Sequence, residues 1–538
     1  VFGSRGANGV ILITTKRGQA GKATIRAVVN TTVKTPSKLP GKMDSYDGLR
    51  IRNDVIENEL ALRPQSWNQY LPHDILNKYR NPANLEESER YPNVDWANTL
   101  FKDQAMAYNA NVSVSGGTRF VKYFTSLDYL YEGDLFKVYE NNRGYDPGFG
   151  FSRLNMRSNL DFQLTKSTVF KVNLTGSYGV QKTPWGFGAG SYPYWIDAYT
   201  TAPDVFMPVY SDGSWGWFQP NEGRAENSAR SLALSGVQNN TTTRITSDFT
   251  LDQNLDMITK GLKFSGTISL DNAFVESGRG INDLFNDAQR KWIDPATGIS
   301  YYRQGFDGVT NFDFQEGVKW ATAGGNVNGN DRRLFYQLQM NYAKTIGEKH
   351  NITAMGLMNR NERANNSTIP SYREDWVFRA TYNFNNKYTI EYNGAYNGSE
   401  KFAPEYRFAF FQSGGVNWIV TNEKFMNSIK FLDLLKLRAS YGQTGDDNAG
   451  ERWLYISNWA YGGRSRLGLN GEAAEQSAYQ WYRQTSVGNP NAQWEVSEIV
   501  NLGADVEMFK GLISAKVDVF KSKRTEVLLT GGRRAVPS

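Results

Sequence analysis

Any chemistry in this 538-residue chain has to come from oxygen ligands, cations and rings, because it holds no cysteine and only two histidines, His73 and His350. A thiolate nucleophile, a disulfide framework and a Cys/His metal site are thereby excluded. The two imidazoles stand far apart and suggest no Ser-His-Asp constellation. The sequence instead concentrates rings in two long polar stretches. Trp185, Phe187, Tyr194, Trp195, Trp215 and Trp217 lie in the first, and Trp453, Trp459, Trp481 and Tyr482 in the second. Flat rings can stack on sugar faces while neighbouring Asp, Asn and Arg bond hydroxyl groups. The same rings serve equally well as packing for long loops or as anchors for a protein partner.

Smaller motifs yield less. Gly186-Phe187-Gly188-Ala189-Gly190 lacks the Lys-Ser/Thr of a phosphate loop and reads as loop flexibility. Asp446-Asp447-Asn448 offers oxygen ligands for Ca²⁺ without EF-hand spacing, so a solvated loop tip is the simpler reading. Net charge is +6, but the cations are interspersed with acids and the longest basic runs are fragments such as Arg533-Arg534. This is a solvated surface rather than a nucleic-acid footprint.

The elements that must position these residues are strands. Rings make up 14% of the chain, yet mean hydropathy is −0.56, so apolar and polar residues must be interleaved. They are, with period two. Leu154, Met156, Leu160, Phe162 and Leu164 share one face of a segment whose other face carries Asn155, Arg157, Asn159, Asp161 and Gln163. After Thr165-Lys166-Ser167 the pattern resumes with Phe170, Val172, Leu174 and Tyr178 opposite Lys171, Asn173, Thr175 and Ser177. Further hairpins turn near Lys260-Gly261, at Gly347-Glu348-Lys349, at Asn385-Asn386-Lys387 and at Lys510-Gly511. About fifteen strands result, from near Lys22 to near Lys523.

The connections alternate. Short ones fall near 116–119, 165–167, 258–261, 345–349, 385–387, 421–431 and 509–511. Longer ones fall near 34–106, 132–152, 179–243, 275–333, 361–375, 399–407 and 442–498. An up-and-down order places all short turns at one end and all long loops at the other, the plan of a transmembrane antiparallel β-barrel. Tyr129, Tyr131, Tyr178, Phe274, Tyr388 and Tyr396, near strand ends, suit interfacial girdles. Lipid exposure of Arg157 or Lys171 at the midplane would cost roughly 2–4 kcal/mol each, so the polar face must line a wet or plugged lumen. An odd strand count does not close a typical bacterial barrel, which predicts further strands downstream. The start at Val1, in mid-pattern and without Met, reads as a fragment or as a chain whose ends were not determined. Asp44-Ser45-Tyr46 through Leu62 predicts a capped helix in the first long loop.

The opening run Val1-Phe2-Gly3-Ser4-Arg5-Gly6-Ala7-Asn8-Gly9-Val10-Ile11-Leu12-Ile13-Thr14-Thr15-Lys16-Arg17-Gly18 resembles the end of the plug domain in SusC/RagA-type TonB-dependent transporters, with Gly3, Arg5, Gly6, Asn8 and Gly9 carrying the motif. Phe378-Arg379-Ala380-Thr381-Tyr382-Asn383-Phe384-Asn385-Asn386-Lys387-Tyr388 and Leu435-Lys436-Leu437-Arg438-Ala439-Ser440-Tyr441-Gly442-Gln443-Thr444-Gly445 resemble barrel signatures of that family. So do Asn489-Pro490, Trp494-Glu495 and Asn501-Leu502-Gly503. Two places depart from its pattern: Phe410-Phe411-Gln412-Ser413-Gly414 lacks a Pro before Ser, and Asn393-Gly394-Ala395-Tyr396-Asn397-Gly398-Ser399 replaces the usual Arg-x-Asp-Gly-Ser.

The resemblance implies an all-β barrel of about 22 strands in the complete fold, with residues 1–20 ending a plug domain and residues 21–538 forming the barrel with long extracellular loops. It implies no enzyme, but active import of oligosaccharides across a bacterial outer membrane, with oligopeptides as the alternative cargo. Expected partners are a SusD-like surface lipoprotein, TonB-ExbB-ExbD acting through a segment absent from this chain, outer-membrane lipid and lipopolysaccharide, and a second transporter-lipoprotein pair. No nucleic acid and no cofactor are expected, with Ca²⁺ in loops or partner as the exception. A structural or adhesive β-protein and a secreted glycan-active enzyme are the readings from other classes. The latter would need two carboxylates converging in a cleft.

Overall fold

The computed structural model describes residues 14–59, 63–188, 192–221, 227–286, 288–303, 320–447, 452–464 and 479–527. Fifteen strands form one unbroken meander in which each pairs with the next in sequence. They are β1 (Gly21–Lys34), β2 (Ala105–Gly117), β3 (Val121–Glu132), β4 (Gly150–Gln163) and β5 (Thr168–Pro184). There follow β6 (Gly236–Asn254), β7 (Leu262–Asn282), β8 (Asn326–Ile346), β9 (His350–Asn365) and β10 (Ser371–Phe384). The set ends with β11 (Tyr388–Ser399), β12 (Phe408–Ile419), β13 (Leu432–Asp446), β14 (Glu495–Met508) and β15 (Ile513–Thr525). All of these pairings are antiparallel, and a short strand, Ala321–Ala323, adds to the outer end of β7.

Register follows from the turns. Gly347 and Glu348 have φ of 58° and 59°, and Asn385 and Asn386 have 50° and 54°, the left-handed pair that a tight hairpin requires. Those turns set Ile346 against His350 and Phe384 against Tyr388. Every later pair then follows by counting. One consequence is that the apolar set of each strand meets the apolar set of the next: Val112, Leu127 and Met156 lie in one row, and Ile390, Val416, Ala439 and Leu502 in another. These side chains are exposed, apart from the partly covered Ala439, as a lipid-facing wall requires.

Rings mark both ends of this apolar face. Tyr108 stacks on Tyr131 at 6.3 Å near the long-loop end, and Tyr388 on Trp418 at 6.3 Å near the short-turn end. Tyr388 and Tyr396 are eight residues apart on β11, roughly 27 Å along the strand or about 21 Å in height at a tilt of about 40°. That matches an apolar band of about 25 Å.

The alternation of connections holds, with the five longest at one end; the links at 366–370 and 400–407 on that end are shorter than the 420–431 link on the other. Strand ends at the long-loop end differ from expectation. β5 reaches Pro184, β6 starts at Gly236, β7 runs to Asn282 and β8 starts at Asn326, so these strands overrun the membrane by several residues. Polar runs such as Gln238-Asn239-Asn240-Thr241 carry no alternation, because the ladder needs only backbone groups once both faces are wet.

Gly394 sits beneath the Phe378 ring, where an added Cβ would lie 2.2 Å from Phe378 Cζ, whereas a Cβ on Gly356 would meet nothing within 4 Å. Gly394→Val is therefore expected to destabilise the barrel by about 1–3 kcal/mol and Gly356→Val to be neutral. Loss of heat-resistant gel mobility with temperature would register the difference; equal behaviour of the two variants would contradict it.

Candidate transport lumen and ligand-contact loops

The second face of the wall is polar and internally bonded. Asp128 accepts from Asn109 and Asn155, both at 3.0 Å, and Ser177 donates to Asn155 at 2.9 Å, a chain running across four strands. Lys171 pairs with Asp252 at 2.6 Å, and Arg438 with Asp505 and Asp518 at 2.9 and 3.0 Å.

The segment preceding β1 lies on this face. Arg17 pairs with Asp161 and donates to Asn173 at 3.2 Å, while buried Asn159 donates to the Lys16 carbonyl at 2.7 Å. The polar face is thus the one that carries residues 15–17. The motif Gly3, Arg5, Gly6, Asn8 and Gly9 itself lies outside the described residues. Beside Lys16 a cavity of about 540 Å³ is lined by Arg26, Asn111, Asp128, Asn155 and Arg157, a hydrated interior rather than a packed core.

The long loops fold against one another. The first carries α1 (Ser45–Asn58), capped as predicted by the Asp44 carboxylate accepting from the Tyr46 amide at 2.9 Å. It also holds α2 (His73–Lys78), α3 (Leu85–Arg90) and α4 (Trp96–Leu100). The loop between β5 and β6 adds α5 (Asp197–Thr200) and α6 (Ser228–Leu234). Leu100, Tyr194, Trp215, Leu232 and Leu234 form one core, and Val94, Trp96, Phe206, Trp217 and Trp292 a second, each drawing on more than one loop. Arg143, Asp283 and Tyr145 tie loops together through a buried ion pair at 2.5 Å and a 2.7 Å hydrogen bond.

Buried charge accompanies this packing. Burial works against the Lys291 ammonium, but the Asp212 carboxylate at 3.0 Å outweighs it and holds its pKa above the ordinary value. Burial pushes the Tyr139 phenol up to about 12. At Asp204 burial dominates and raises the carboxyl pKa, only partly opposed by its own backbone amide and by Arg52.

This packing corrects part of the ligand-contact reading. Tyr194, Trp215 and Trp217 are buried in the loop cores, and Phe187 and Trp195 pack against the first of them, so their rings are occupied. Trp185 is half-buried, its carbonyl accepting from the Tyr194 hydroxyl at 2.8 Å. Half-buried Trp453 lies under the Arg452 guanidinium at 4.4 Å. Trp459, Trp481 and Tyr482 stand exposed on a two-stranded hairpin, Asn458–Arg464 with Gln480–Ser486, where Tyr461 meets Tyr482 edge-on at 5.8 Å. Sequence alone could not divide these rings, because all ten lie in stretches without period.

Asp447 is not a free cation ligand, since Arg373 reaches its carboxylate at 2.8 Å; Asn448 lies outside the described residues. Among the described residues no group of three or more His, Asp or Glu side chains is arranged to hold a metal. The sequence reading also passed over a second cavity of about 590 Å³ among the loops, lined by Tyr79, Arg80, Tyr91, Asn93, Asp95 and Tyr139, and a basic cavity at the outer rim of the lumen.

A two-faced antiparallel meander with sorted loops defines a transmembrane β-barrel, of the kind that encloses a plug. No family model matches the chain. Over 98% of its length it is 24% identical to TonB-dependent receptor P26 of Formosa agariphila and 24% identical to TonB-dependent receptor SusC of Bacteroides thetaiotaomicron, spanning 49% of each. Its fold is similar to that of the RagAB peptide importer in the closed-closed state, with a TM-score of 0.66 at 17% identity, covering 97% of this chain and 56% of that one. The chain is thus similar over nearly its whole length to SusC/RagA-type TonB-dependent receptors, and spans about half the length of the curated relatives it matches.

A carboxyl with a raised folded-state pKa contributes stability that is full below the ordinary carboxylate range and is lost as pH rises through the raised value. Asp204→Asn should remove that loss, raising the thermal stability of the loops at neutral pH and flattening its dependence above about pH 4. Melting curves across that range test it; a variant less stable than wild type at neutral pH would contradict it.

Proposed function

We propose that this chain forms most of the wall of an outer-membrane, TonB-dependent importer that takes up oligosaccharides with a SusD-like surface lipoprotein. The observation that carries this reading is the attachment of residues 15–17 to the polar face of a wall whose other face is apolar. A strand-built wall holding a chain segment on its hydrated side is suited to gated passage, not to adhesion. TonB-ExbB-ExbD would act through a segment outside this chain, lipopolysaccharide would meet the ring girdle at the long-loop end, and transporter-lipoprotein pairs would associate in twos.

The exposed rings Trp459, Tyr461, Trp481 and Tyr482 support a sugar cargo, because amphipathic rings on one antiparallel strand pair can stack on pyranose faces while Arg483 and Gln484 bond hydroxyls. The second reading, an oligopeptide importer, is favoured by the similarity of fold to the RagAB peptide importer.

The intact protein is expected to require detergent and to shift in gel mobility on heating; a monodisperse detergent-free monomer would contradict the membrane reading. Deleting its gene should abolish growth on one oligosaccharide class and spare growth on peptides. The reverse pattern would assign the peptide cargo.

A further inference from the structure

At the outer rim of the polar face a cavity of about 280 Å³ opens between the ends of β8 to β11 and the loop after β13. Five cations line it, Arg333, Arg363, Arg373, Lys401 and Arg452, against two acids, Glu400 and Asp447. Most of these cations are accounted for. Arg363 is held by Asp331 in a bidentate pair at 2.8 and 2.9 Å, and Arg452 by Glu400 at 2.8 Å. Buried Arg373 bridges Asp375 and Asp447, and Lys401 donates to the Asp447 carbonyl at 2.7 Å.

Arg333 differs. It is exposed and makes no hydrogen bond or ion pair among the described residues. Its register partner on β9 is another cation, Arg363. Its partner on β7 is Asp271, but Arg244 and Thr246 already occupy that carboxylate. Like charges directly opposite on one sheet face destabilise it; the nearby Asp271 and Asp331 carboxylates attract Arg333 and offset part of that cost, but neither forms an ion pair with it.

We propose that this cavity binds an oxyanion group of the incoming ligand, a carboxylate or a sulfate ester carried by an oligosaccharide, with Arg333 as its principal contact and Arg363 beside it. Guanidinium groups bond such anions bidentately, and the position at the rim of the lumen places the contact where ligand enters. The cargo assignment rests on the import reading; the anion site does not.

Two measurements separate these claims. Calorimetry of the intact protein in detergent compares an oligogalacturonate, a sulfated galacto-oligosaccharide, the neutral galacto-oligosaccharide of equal length and an acidic peptide. At least one anionic sugar should bind about tenfold or more tighter than the neutral one, and which one does identifies the oxyanion. Arg333→Gln should erase the preference without weakening the neutral sugar, and Arg333→Lys should restore part of it. Because Arg333 has no ion pair to lose among the described residues, the variant should fold; a preference that survives it overturns the proposal. In the second arm, phenylglyoxal modification of Arg333, read by peptide mass spectrometry, should fall several-fold with glucuronate or sulfate and not with glucose. No protection by either anion overturns the site. Protection combined with binding only of the acidic peptide keeps the site and removes the glycan reading.

Discussion

Hydrocarbon offers no hydrogen bonds, so every backbone N–H and C=O that crosses it must find a partner in the wall itself. The fifteen-strand meander follows from that requirement. Antiparallel neighbours satisfy one another's backbones, and because side chains alternate across a strand, one wall presents aliphatic and aromatic groups outward and hydrogen-bonding groups inward. The Asp128–Asn155–Ser177 network and the Arg17–Asp161 contact exist because the inner side stays wet; on the outer side the same groups would be severely penalised.

The long loops obey a different physics. Free of lipid, they fold as a small water-exposed assembly with cores of Trp, Phe and Leu drawn from separate connections, stitched by ion pairs such as Arg143–Asp283. A crown of this kind presents a few features outward, among them the strand pair carrying Trp459 and Tyr482 and the arginine-lined rim.

This division explains what could be read from sequence. Membrane strands were legible because period two over about ten residues is demanded by the solvent on each face, and turns such as Asn385-Asn386-Lys387 fixed register as well as position. The loop helices α2 to α4 and α6 were not legible. They span seven residues or fewer, too short for a helical period to emerge, and they are held by contacts between loops distant in sequence. The rings failed for the same reason: whether Trp215 is buried and Trp459 exposed is decided by which loop lies over it. The rim cavity could have been found, since counting back thirteen residues from Ile346 and forward thirteen from His350 brings Arg333 against Arg363.

The two-faced wall is open to direct measurement, because the chain has no native cysteine. Spin labels introduced by Lys171→Cys, Val172→Cys, Asn173→Cys and Leu174→Cys in the lipid-reconstituted protein report collisions with oxygen and with a water-soluble nickel complex. Oxygen access should peak at 172 and 174, and nickel access at 171 and 173. Equal nickel access at all four positions would place this strand in water on both sides and contradict a lipid-facing wall.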